Sequence, residues 1–364
     1  METLPPAAGA GQVMGTRLAP QRLGPNKVPV YYAGGAGIDR FRGVAQEGGP
    51  EDWVASVTAF PAHLLPVGAD PEIGISRLPD GTSLRAAMER DPVGWLGPEL
   101  VAAFGTEPGL LVKLLDAGER LPVHCHPTRA FARAKLRSRF GKSEGWILLE
   151  VAPDAGMWLG FRRDVRRAVL ERWIQDQDIS SMLAAMNRLE VRAGDVLYVP
   201  AGVPHAFGPG VLLLELQEPT SFSILAEYAG FGLKPEQATL GLSWEDALEC
   251  FDLTAYDEQR MERLRPGREP VFSGDDGQIW RLFSGETTPF FQAYFASAHG
   301  RLALDQLAGF CILVVVRGFG HLHSRAGTAD LAQGETWVVP YAASPLQAQG
   351  DLDIIVCMPP MPRQ

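Results

Sequence analysis

Cysteine is scarce in this chain and scattered: Cys125, Cys250, Cys311 and Cys357 stand far apart among 364 residues, with no C-x-x-C pair. That spacing argues against a disulfide framework and against a thiolate metal site, so reduced, packed thiols are expected. No apolar run approaches the roughly 18 to 20 residues of a membrane span. The opening METLPPAAGAG has neither the basic start nor the apolar centre of a secretion signal, and a cytoplasmic protein is expected. Cations are outnumbered, 33 Lys and Arg against 43 Asp and Glu, for a net charge of −10. This disfavours nonspecific binding to nucleic acid or to an anionic membrane. What is present, 46% apolar and 21% charged residues, is the composition of a soluble globular protein long enough for a large core or two medium domains.

Residues 1–25, rich in Pro, Gly and Ala, read as a loose tail. SLRAAMERD follows Asp80-Gly81-Thr82 with helical spacing and a Thr82 or Ser83 cap. LLVKLLDAG, LPVHCH, EGWILLEVAP, MWLGF, DVLYVPAG and GVLLLELQEP then read as successive short strands. Helical stretches at Thr128 to Arg139 and Arg163 to Asn187 interrupt them. SWEDALECFD and YDEQRMERLRP read as a helical linker over 231–268. The region 269–364 is strand-like again, and its GETWVVPYAASP echoes the earlier GDVLYVPAGVPH, with Ala342 and Pro345 where the first copy has Gly202 and His205. Two β-barrels follow from this: a metal-binding one over 26–230 and a degenerate one without metal over 269–364. His321 and His323, in GFGHLHS, read as surface turn residues.

The residues Gly194 to His205 carry the chemistry. A strand of alternating faces leaves through a Pro-Gly turn that points the following histidine back into a barrel. In LPVHCHP, alternation puts His124 and His126 on one strand face and Val123 and Cys125 on the other. With Glu144, these residues read as one metal centre: His124, His126, Glu144 and His205. Such ligands suit Zn²⁺ most simply, and Fe²⁺ or Mn²⁺ are compatible with them. Between Pro127 and Ser143 there are six cations and no acid (Arg129, Arg133, Lys135, Arg137, Arg139, Lys142). That run begins directly after the histidine pair and ends at Glu144, which points to an anionic substrate.

These motifs resemble those of the type I mannose-6-phosphate isomerases, zinc-dependent bicupins, in their short bacterial form. EDWVAS is similar to the family's W-E-x-S segment, and LLVKLLDAGERLPVHCHP to the stretch ending in its first ligand. GKSEGWILLE is similar to G-K-[TS]-E-x-W, and GDVLYVPAGVPHAFGPGVLLLELQE to the final metal motif and the strand after it. The resemblance implies a mainly β fold of two cupin, jelly-roll type barrels with inserted and linking helices, and His126, Glu144 and His205 as metal ligands. Many members have glutamine at the position of His124.

The implied reaction, interconversion of mannose 6-phosphate and fructose 6-phosphate, needs an acidified carbon, a base and stabilisation of a cis-enediolate. Lys142 and Glu215 are the candidates for proton transfer. Arg129 and Arg133 are candidates for the phosphate, and Gln217 for a sugar hydroxyl. The partner expected is thus a small-molecule sugar or sugar phosphate. One departure stands out. The family arginine that follows this strand falls on Leu225, and no arginine occurs between Arg192 and Arg260. Isomerisation of another sugar, a non-catalytic sugar-binding bicupin and an Fe²⁺ dioxygenase stay open on the residues alone.

Overall fold

The computed structural model describes residues 18–361 except 46–47, 62–63, 66–67 and 284. The chain is mainly β and every strand pairing within its three sheets is antiparallel. A six-stranded sheet runs in the order Lys27–Val28, Glu51–Val54, Leu111–Ala117, Val211–Gln217, Glu144–Val151, Val196–Val199. Facing it, a five-stranded sheet runs Ile224–Leu225, His124–Cys125, His205–Phe207, Met157–Phe161, Met186–Leu189. The third sheet has nine strands and gathers the C-terminal region.

The central strands of the first sheet are buried along their whole length, which explains their reading as nearly unbroken apolar runs. The polar exceptions on them, Lys113, Asp116, Glu215 and Gln217, are buried as well, and so is Glu144 at the start of the neighbouring strand Glu144–Val151. Burying such groups is costly unless they are paired, so their presence in a core strand points to a site. Val123 and Cys125 pack into an apolar cluster with Phe161 and Leu170, on the face away from the two flanking histidines, as alternation requires.

Several sequence expectations change in detail. Of the anticipated tail, residues 1–17 lie outside the described residues, but Gln21–Leu23 forms a strand paired with Thr336–Val339 of the C-terminal sheet. Leu23 is buried there, and that apolar contact overrides the Pro/Gly-rich composition around it. The long helix read at Arg163 to Asn187 is two helices, Arg167–Asp176 and Ile179–Ala185, and Met186 already starts a strand. Gln177, at φ 47°, ends the first helix in the left-handed region, and the Asp178 side chain caps the second. His321 and His323 lie within the strand Cys311–Ser324 rather than in a turn. Ser83 does cap the helix Leu84–Arg90, and Thr128 caps Arg129–Lys135.

The main apolar core does not stop at residue 268. It joins Trp146, Leu148 and Leu213 of the first sheet to Phe283, Phe291, Ile312 and Ile355 of the C-terminal region. Gly145 is the tightest point of that junction, because a methyl group there would come within 2.5 Å of the Phe283 ring and 2.7 Å of the Phe291 ring. Gly145→Ala is therefore expected to destabilise the protein by about 1–3 kcal/mol through overpacking. Urea unfolding of the two proteins measures it, and equal midpoints would show that the two rings yield freely.

Candidate metal centre

His124 and His205 face each other as a register pair on adjacent strands, and His126 follows at the strand's end. The three rings cluster with centroids 4.1, 4.8 and 4.9 Å apart. One ligand atom from each lies within 4.8 Å of the other two. All three side chains are buried. In each ring Nδ1 meets a backbone carbonyl: His124 at Pro122 O (2.7 Å), His126 at Phe222 O (2.8 Å) and His205 at Val203 O (2.9 Å). A carbonyl can only accept, so Nδ1 carries the proton and Nε2 presents its lone pair to the common centre. Burial pushes all three imidazoles toward the neutral form, His126 down to about 3.

The opposing sheet supplies the acid. Glu144 Oε1 lies 2.9 Å from His126 Nε2 and 3.0 Å from Lys142 Nζ, and Oε2 lies 3.8 Å from His205 Nε2. Burial alone would raise the Glu144 carboxyl, but His126 and Lys142 outweigh it and hold the group well below the usual carboxylate range. His205 Nε2 is buried and has no hydrogen-bond partner within the protein. A lone pair so placed is expensive unless something fills the centre, and three neutral imidazoles with an ionised carboxylate form a suitable ligand set for a divalent cation.

Beside this cluster runs a buried charged network that the sequence reading did not anticipate. Lys113 Nζ lies 3.3 Å from Glu51 Oε2 and 3.2 Å from Glu215 Oε2. Trp146 Nε1 stands 3.1 Å from both Glu144 Oε2 and Glu215 Oε1. Trp53 Nε1 donates to Glu51 at 2.7 Å and the Tyr32 hydroxyl donates to the same carboxylate. Two acids thus share one lysine. Burial would raise Glu51, but Lys113 and the two donors hold it down. Glu215 goes the other way: burial and the nearby Glu144 charge push it up to about 7, against the pull of Lys113 and Lys142. The signal for Lys113 was available as a single lysine in the middle of the apolar strand LLVKLLDAG.

The other anticipated site residues divide. Lys142 and Glu215 line the same cavity as His124, His205 and Glu144. Arg129 does not; its guanidinium is committed to the buried Glu218 and to the Pro289 carbonyl at 2.7 Å. Arg133 is exposed on the helix Arg129–Lys135 and lines neither that cavity nor the cleft outside it. The basic run therefore does not border the metal cavity as a block, since its helix turns successive cations to different sides. Gln217 is buried opposite Glu144 in the sheet, and its amide nitrogen donates to the carbonyls of Glu218 and Thr220. It lies outside the cavity lining. Leu225 pairs with His124 across the five-stranded sheet and is buried, so no guanidinium enters from that position.

No family model matches the chain. A mannose-6-phosphate isomerase of Streptococcus mutans is 27% identical over 299 residues, 77% of this chain and 85% of that protein. One of Bacillus subtilis is 26% identical over 255 residues, 68% of this chain and 74% of that protein. The chain is thus similar to curated mannose-6-phosphate isomerases over two thirds or more of its length. Among solved structures, the mannose 6-phosphate isomerase of Bacillus subtilis superposes with a TM-score of 0.73 at 22% identity, over 93% of this chain and 99% of that one. A mutant phosphomannose isomerase of Salmonella typhimurium does so with 0.70 at 16% identity, over 94% and 100%. The likeness to these isomerases extends over both the histidine-bearing sheets and the C-terminal region, so the fold read from the motifs is the fold found.

The raised Glu215 gives a pH dependence with a definite sign. A folded-state value near 7 against an ordinary 4.5 means that its contribution to stability is full below about 4.5 and is lost as pH rises through about 7. The loss amounts to on the order of 3 kcal/mol. Glu215→Gln removes the titration, so metal-free Glu215→Gln protein is expected to gain relative to wild type in urea unfolding between pH 5 and pH 8. Parallel stability curves would show that Glu215 is not perturbed.

Proposed function

We propose that this protein interconverts mannose 6-phosphate and fructose 6-phosphate by moving a hydrogen between C1 and C2. The observation that carries the reading is the cluster at the cavity wall: three imidazoles and the Glu144 carboxylate converge, the buried His205 Nε2 without a hydrogen-bond partner, next to Glu215, a buried acid poised near neutrality. The named relatives support it. His124, His126, His205 and Glu144 would hold one divalent ion, with Zn²⁺ the best fit to three nitrogens and one oxygen. When bound, such an ion supplies Lewis-acid polarisation of the sugar oxygens and stabilises the charge of an enediolate.

The protein's own groups do the proton work. Glu215 Oε2 has no hydrogen-bond donor of its own beyond the ionic contact with Lys113, and at neutral pH the group exchanges a proton at little cost in either direction. It takes the proton from one carbon and returns it to the next. Lys142, held between Glu144 and His126, places an ammonium over the same region and donates to an oxygen that gains charge. Glu51 keeps Lys113 charged, and Lys113 in turn limits how far Glu215 rises. Tyr32, Trp53, Phe60, Leu115 and Phe207 complete the wall and exclude bulk water.

Purified protein loaded with zinc is expected to convert each sugar phosphate into the other and to incorporate solvent deuterium at the exchanging carbon, with both activities abolished by a chelator. Absence of turnover at full metal occupancy would refute the proposal. Lys142→Met should lower kcat by about 100-fold or more while metal content, measured by atomic absorption, stays at the wild-type level. His126→Gln should instead lower the metal content itself.

A further inference from the structure

Among the described residues, the Lys and Arg side chains lining the metal cavity are Lys113 and Lys142, and carboxylates engage both: Glu51 and Glu215 the first, Glu144 the second. A phosphoryl group near its full charge needs a cation that is not already neutralised. The cavity continues outward. Tyr31, Pro61, Leu64, Ser221 and Ser223 line it and also line a larger outer cleft. The wall of that cleft is mostly apolar and includes Leu225, at the position where the resembling family has its arginine. Its cations are Lys135 and Arg137.

These two differ. Lys135 is bound to Asp246 and lies 3.4 Å from Glu249. Arg137 is exposed and, among the described residues, its guanidinium makes no hydrogen bond, ion pair or ring contact. It also holds φ at 56°, a left-handed conformation that a long side chain adopts only at a cost. The turn is pinned on its far side by Ser138, whose N–H donates to Ala132 O at 3.1 Å and whose hydroxyl donates to Phe140 O at 2.9 Å. A costly backbone conformation thus sets a free guanidinium at the rim of a cleft that continues the metal cavity.

We propose that this outer cleft is the phosphate subsite, with Arg137 as the guanidinium that grips the phosphoryl oxygens and Ser221 and Ser223 as hydroxyl donors between it and the metal cavity. The assignment rests on the isomerase reading for the sugar but not for the anion. It replaces Arg129 and Arg133, and it supplies from the turn after the helix Arg129–Lys135 the charge that Leu225 cannot.

Calorimetry with inorganic phosphate and the zinc-loaded full chain tests it. Arg137→Gln should weaken phosphate binding about tenfold or more, Arg137→Lys should retain part of it, and Arg133→Gln should leave it unchanged. In kinetics, Arg137→Gln should raise KM for mannose 6-phosphate about 10- to 100-fold while kcat stays within about twofold. Equal phosphate affinity in wild type and Arg137→Gln, or no affinity in wild type, overturns the subsite. Wild type that binds phosphate through Arg137 yet turns over no sugar phosphate would refute the isomerase reading and leave the subsite standing.

Discussion

Three backbone carbonyls, those of Pro122, Val203 and Phe222, fix the orientation on which the candidate metal centre depends. Each takes the Nδ1 proton of one histidine, so each ring has one tautomer and one direction in which its other nitrogen can point. The carbonyls belong to the segments entering the His124 strand, entering the His205 strand and leading to Ile224–Leu225. The site is therefore held by the same backbone that builds the five-stranded sheet. Nothing about the imidazoles has to be organised when a cation arrives, which keeps the entropic cost of binding low.

Electrostatics on the facing sheet follows from a shortage of positive charge. Glu51, Glu144 and Glu215 are all buried within one cavity wall, and the lysines available to them are Lys113 and Lys142. Buried like charges cannot all ionise at normal pH. Glu144, between Lys142 and the imidazoles, and Glu51, with Lys113 and two neutral donors, take the charge, leaving Glu215 as the acid whose proton is easily moved. An acid that titrates near neutrality arises here from the arrangement of its neighbours and not from any special chemistry of its own.

Much of this was legible in the residues. The glycine-to-histidine spacing of Gly194 to His205 and the alternation in LPVHCHP depend only on strand geometry, and both hold. What failed depended on tertiary context. The basic run looked like one surface because charge was read along the chain, whereas a single helix and the turn after it set Arg129 on Glu218, Lys135 on Asp246, and Arg133 and Arg137 at separate exposed places. The Gln21–Leu23 strand could not be seen in three residues whose pairing partner lies more than 300 positions away. Lys113 hid within an apolar run because periodicity weighs the pattern and passes over its exception. Gln217 obeyed the inward alternation, but its amide was drawn into the local backbone of Glu218 and Thr220.

The pairing of Gln21–Leu23 with Thr336–Val339 has a consequence for how the molecule comes into being. The edge of the last sheet is covered by the beginning of the chain, with Arg22 bridging to Glu335 and Arg42 reaching Thr336. During synthesis this early strand must wait, unpaired, until Thr336–Val339 has emerged. The metal-site region and the C-terminal sheet are thereby clasped together, and neither can be excised along the linker without leaving an open seam on the other.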